Sequence, residues 1–133
     1  MKLKSIHRFF GVAVVIVFLL TGIYMRLSFP TLYAGNEIVR YMFRANHIYI
    51  LLGGLLNITL GSYLELNAGG WRRWLQQFGS LLILIAPVLL IAAFFHEPPR
   101  ALPNRPVTGL GIFSLFIGTL CHMPGKISGR DNG

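Results

Sequence analysis

The chain has 133 residues and a formal net charge of +8; it is 54% hydrophobic and only 12% charged. A soluble domain carries about 25% charged residues, so the length sets one domain and the composition points away from a water-soluble one. The single cysteine, Cys121, excludes an internal disulfide and a thiol–disulfide relay.

The charges are clustered, and the gaps between them define the elements. No Asp, Glu, Lys or Arg occurs in residues 9–25, 45–64, 74–96 or 106–125, runs of 17, 20, 23 and 20 residues. At about 1.5 Å per residue, roughly 17 to 25 apolar residues cross the hydrocarbon core. Backbone groups in lipid must be satisfied within their own segment, so these runs are helices.

The first span is predicted at residues 9–25, behind the basic start Lys2 and Lys4. Its apolar run exceeds a typical signal-peptide core and Arg26 follows it directly, so it reads as a retained helix. A connection of about 20 residues follows, containing Pro30 and Gly35. Asn36 is suited to cap a helix, so the second helix is expected to begin before its span at residues 46–65. Within that span, Gly53, Gly54 and Gly61 form a close-packing surface, and Asn57 and Thr59 are expected to bond between helices. The short turn Asn67-Ala68-Gly69-Gly70 makes the second and third helices antiparallel neighbours.

Trp71 and Trp74 open the third span, residues 74–96, as an interfacial aromatic belt, and Pro87 is expected to kink it. Pro98, Pro99, Pro103 and Pro106 stiffen the next connector. The fourth span covers residues 106–123 and stops at Pro124-Gly125. The expected fold is all-α: one integral membrane domain, residues 1–133, forming an up-down four-helix bundle. Seven Lys and Arg flank the N-terminal side of the spans and five the other, which favours cytoplasmic termini in a bacterial inner membrane. The basic residues then meet lipid head groups, and nucleic acid is not an expected partner.

The chain has four histidines, one per helix and each near a helix end. His7 and His122 fall on the N-terminal side, and His47 and His96 on the opposite side. One pair per membrane face is what a haem held between two imidazoles requires. Gly11, Gly118 and Ala92 each lie four residues deeper than their histidine, leaving room for a flat ring; His47 has Leu51 there. Arg8 and Lys126 on one side, and Arg44 and Arg100 on the other, are candidate propionate partners. The competing reading is plain: interfacial histidines whose polar tips reach water, beside ordinary small-residue packing faces.

The start Ile6-His7-Arg8-Phe9-Phe10-Gly11, with its apolar run to Leu20-Thr21-Gly22, resembles the first helix of small four-helix bacterial b-type cytochromes. It also resembles the membrane helices of PepSY-domain proteins. Arg44-Ala45-Asn46-His47, leading into a Leu- and Gly-rich helix, is similar to the second helix of those cytochromes. The resemblance implies haem b, with His7 and His47 as ligands. It covers the first two helices; the last two do not match the pattern.

No Asp, Glu, Lys or Arg sits near mid-span, as proton-coupled transporters usually require, and there is no hydrolase or HExxH pattern. Cys121 beside His122 supplies too few ligands for a zinc site. Two classes remain. One is a b-type haem electron-transfer protein, with quinone or another membrane subunit as partner. The other is a non-catalytic subunit that packs against a larger membrane complex.

Overall fold

The structure is a computed structural model and describes residues 2–66 and 69–123. Asn67, Ala68, Pro124, Gly125, Lys126 and Arg130 lie outside the described residues. Four helices and no strand form among the described residues: α1 Lys2–Leu32, α2 Glu37–Tyr63, α3 Gly70–His96 and α4 Pro106–His122.

One bound differs from the sequence reading and another agrees with it. α1 runs straight through Pro30 to Leu32, so the expected long connection shrinks to residues 33–36. Pro30 lacks one N–H, and this close to a helix end the loss breaks only the last turn's bonding. α2 begins at Glu37, with the Asn36 side chain accepting from Val39 N at 3.1 Å. The expected cap is therefore present, and its carboxamide oxygen meets one of the helix's unsatisfied donors.

Each helix buries a stripe with alternating three- and four-residue spacing. In α1 the stripe is His7, Gly11, Val14, Thr21, Met25 and Ser28; in α4 it is Thr108, Gly111, Leu115, Gly118 and Cys121. That spacing favours near-parallel packing of helices. Gly61 lies on Arg8 and Gly54 on Gly11; Asn57 meets Ile83 and Gly53 meets Pro87; Gly118 lies on Gly79 and Gly111 on Leu90. In each pair one number rises as the other falls, so consecutive helices are antiparallel and the topology is up-down. α1 packs along α2, α2 on α3, and α3 along α4, whereas α1 and α4 barely touch.

Glycines set the closeness of the two hairpins. A Cβ on Gly61 would sit 2.6 Å from Arg8 N, and one on Gly118 2.8 Å from Gly79 O. Only a residue without Cβ permits backbones to meet this way. At the other end of the bundle Phe43 and Phe94, both fully buried, cross edge to face at 5.0 Å. Such pairs contribute about 0.5–1.5 kcal/mol beyond area burial.

The outer surface is apolar, and the interior holds polar side chains beside its hydrophobic core. His7, Asn46, Asn57, Ser80 and Glu97 are buried, while Ile16, Leu20, Leu55, Leu81, Val88, Phe113 and Phe116 are exposed. α1 and α3 are each long and apolar enough to cross a membrane; α4 is apolar but shorter, at 17 residues.

Candidate functional site

His7 is fully buried one turn inside α1. Its Nδ1 lies 2.7 Å from Asn57 Oδ1. The Asn57 amide nitrogen donates to Gly53 O at 2.8 Å and to Ile83 O at 3.0 Å. Both amide N–H groups are thus committed, and the oxygen that faces His7 can only accept. His7 must therefore carry its proton on Nδ1, which leaves Nε2 as a lone pair. That Nε2 is buried and has no hydrogen-bond partner.

His122 ends α4 and comes within electrostatic reach of His7. Its Nε2 lies 3.2 Å from the Oγ of Ser80, itself buried in α3. Its Nδ1 is also buried without a partner. A buried polar atom left unpaired costs about 1–3 kcal/mol, so each of these two ring nitrogens is a place where a partner would recover energy. The two histidines belong to α1 and α4, the two helices of the bundle that are least in contact. A groove of about 590 Å³ between α1 and α3 is lined by Lys2, Ile6, Arg73, Ser80 and Leu84; it reaches His122 only through Ser80, and neither histidine lines it. Ligand pockets generally occupy about 300–1,000 Å³.

The opposite pair is not brought together in this way. His47 stacks on Phe18 with ring centroids 4.0 Å apart, and its Nδ1 lies 2.9 Å from Thr21 Oγ1. Thr21 donates its own proton to Phe18 O at 2.8 Å, so His47 too is an Nδ1–H donor. Gly22 provides room for that ring: a Cβ there would come within 3.3 Å of His47 Cε1. His96 is exposed at the end of α3, and no bond joins it to His47 among the described residues.

The small residues expected beside the rings have another use. A Cβ on Gly11 would lie 2.7 Å from Ile58 N and 2.8 Å from Gly54 O; one on Gly118 would lie 2.6 Å from Ile83 Cγ1. Their flat faces are filled by neighbouring helices, because the same absence of a side chain that suits a ring suits a helix crossing. Ala92 is exposed. Arg8 donates to Gly61 O at 3.3 Å, and Arg44 lies over the Phe29 ring at 5.8 Å. Asn57 does bond between helices as expected. Thr59 does not: it donates to Leu55 O of its own helix at 2.9 Å, an ordinary outlet for a hydroxyl on an exposed face.

A second polar cluster lies at the other end of the bundle. Glu97, buried just after α3, accepts from Val107 N at 2.7 Å and Thr108 N at 3.2 Å. It therefore caps α4 from a distance, and its negative charge suits a helix N-terminus. Its other oxygen accepts from the Thr108 hydroxyl and faces Arg105, which donates to Asn46. Arg105 holds φ at 41°, in the left-handed region, to make this turn. The sequence reading assigns no site role to Ser80 beside His122, nor to Glu97, Thr108 or Asn46 in this cluster. Among the described residues no three His, Cys, Asp or Glu converge, and a haem needs only two axial ligands.

No family model, curated protein or solved structure matches the chain.

Proposed function

We propose that the protein is a small integral membrane b-type haem protein of electron transfer, with His7 and His122 as axial ligands at the end of the bundle bearing the N-terminus. The observation that carries this reading is the buried, unpartnered Nε2 of His7, held as a lone pair by Asn57. A metal-bound histidine usually donates its other ring N–H to an acceptor that fixes tautomer and orientation, and His7 has that arrangement. His122 supplies the second unpartnered ring nitrogen. Lys2 and Arg73, on the groove that reaches Ser80, would neutralise an anionic edge of the cofactor in place of Lys126. A bound haem supplies one-electron reduction and oxidation at its iron; the chain's part is to donate two ring nitrogens, exclude water and hold the charge balance.

Membrane insertion belongs to the same proposal. Apolar side chains cover the outside of all four helices, and several polar ones are buried beside the hydrophobic core, as lipid as solvent would favour. The bias of seven basic residues to five supports an orientation with both termini in the cytoplasm of a bacterial inner membrane. His47 and His96 are left out of the proposal, since His96 is exposed and apart. One observation favours the second reading, a non-catalytic subunit: Gly11 and Gly118 are consumed by helix crossings.

The test is a dithionite-reduced minus oxidised spectrum of the protein purified from membranes of haem-replete cells. A split low-spin haem spectrum that disappears in His7→Ala and His122→Ala, and survives in His96→Ala, is the expected result. A colourless protein that also fails to take up added haemin would leave the subunit reading in its place.

A further inference from the structure

Pro87 lies in the middle of α3 and has no N–H. The carbonyl four residues earlier, that of Ile83, therefore has no helical donor. That carbonyl is the one that accepts from Asn57 Nδ2 at 3.0 Å. Asn57 is fully buried, and a Cβ added to Gly53, one turn from it, would come within 2.9 Å of Pro87 Cγ. The proline and the asparagine thus face each other across the α2–α3 contact.

From this juxtaposition we infer that Pro87 and Asn57 are positioning residues for His7. The proline exposes a carbonyl, the carbonyl fixes which way the Asn57 amide points, and the amide oxygen fixes the proton of His7 on Nδ1. The result is a histidine that offers the bundle interior an electron pair from Nε2 and never a proton. Its ligand must therefore be an electron-pair acceptor, such as a metal centre, or a hydrogen-bond donor; a ligand that only accepts hydrogen bonds is rejected. Without Pro87, the Ile83 carbonyl would be shared with the N–H of residue 87 of its own helix. Its bond to Asn57 would weaken, leaving Gly53 O as the main partner of the amide N–H groups, and a fraction of chains could then turn the amide and present N–H to His7. The positioning role rests on the haem reading for its purpose, but the tautomer itself does not.

The experiment reads the tautomer directly. Protein labelled with ¹⁵N-histidine is prepared without haem, and the His7 ring signals are assigned by their loss in His7→Ala. The wild type is expected to show His7 only as the Nδ1–H form. Asn57→Leu is expected to mix the two tautomers. Pro87→Ala, which restores a regular helix and so tolerates folding well, is expected to shift the population toward Nε2–H. Removal of an outer-shell partner lowers metal affinity about 10–100-fold, and haemin titration of Asn57→Leu should show a loss of that order. An unchanged, single Nδ1–H form in Asn57→Leu overturns the inference, and an unchanged form in Pro87→Ala removes Pro87 from it. A wild type that binds no haem yet keeps the fixed tautomer defeats only the haem reading. A haem-binding wild type with mixed tautomers defeats only this one.

Discussion

Gly11→Ala adds one carbon where two helices already touch. The new Cβ would lie 2.7 Å from Ile58 N and 2.8 Å from the Gly54 carbonyl oxygen. These are backbone atoms, so relief requires α1 to move away from α2 by several tenths of an ångström along its whole contact. Overpacking of this kind destabilises by about 1–3 kcal/mol. The substitution also removes the helix penalty of glycine, worth about 0.5–1 kcal/mol, so the net loss should fall between about 0 and 2.5 kcal/mol. Gly109→Ala is the matched control, because nothing lies within 4 Å of its added carbon in α4. It should stabilise by about 0.5–1 kcal/mol. Thermal unfolding of both variants in one detergent, followed by circular dichroism, gives the comparison. A Gly11→Ala variant as stable as Gly109→Ala would mean that Gly11 borders an opening rather than a helix crossing. That result would refute the packing argument and revive a ring-sized slot beside His7.

Other consequences can be checked with similar means. Gly54→Leu, pressed on Val14, Val15 and the Gly11 carbonyl, should lower the unfolding temperature clearly, whereas Leu55→Phe, on an exposed position, should be nearly neutral. Glu97→Gln weakens the cap on α4 and leaves Arg105 without its carboxylate; hydrogen bonds to charged groups are worth about 1.5–3 kcal/mol, and urea or thermal unfolding should register a loss of that order. Thr21→Val removes the acceptor of His47, and ¹⁵N-histidine spectra should show the His47 tautomer released while that of His7 is unchanged. Reporter fusions at Gly69 and at the C-terminus should both behave as cytoplasmic; an exported reporter at either position would reverse the orientation.

The number of helices was legible because charge bounds the apolar runs at their centres: Arg8 to Arg26 lies within α1, and Arg73 to Glu97 within α3 and its end. Ends were less legible. Pro30 reads as a breaker, but a proline near a helix end removes a bond that fraying would weaken anyway, and α1 continues past it. The glycine stripes of α2 were readable as packing surfaces, yet periodicity does not say whether a glycine faces a helix or a ring; Gly11 and Gly118 face helices. Chain direction brought His7 and His122 to one end of an up-down bundle. It could not separate that pair from His47 and His96, because burial depends on rotation about each helix axis. The relay from Pro87 through Asn57 to His7 depends on the register of α2 against α3, which a single sequence does not encode.

The account stands most directly on the amount of haem held per chain. Pyridine haemochrome assay against protein concentration, on wild type and His7→Ala purified side by side from haem-supplemented cells, supplies it. The account predicts close to one haem b per wild-type chain and almost none in a folded His7→Ala variant. Equal haem content in the two proteins, or none in the wild type, would contradict it.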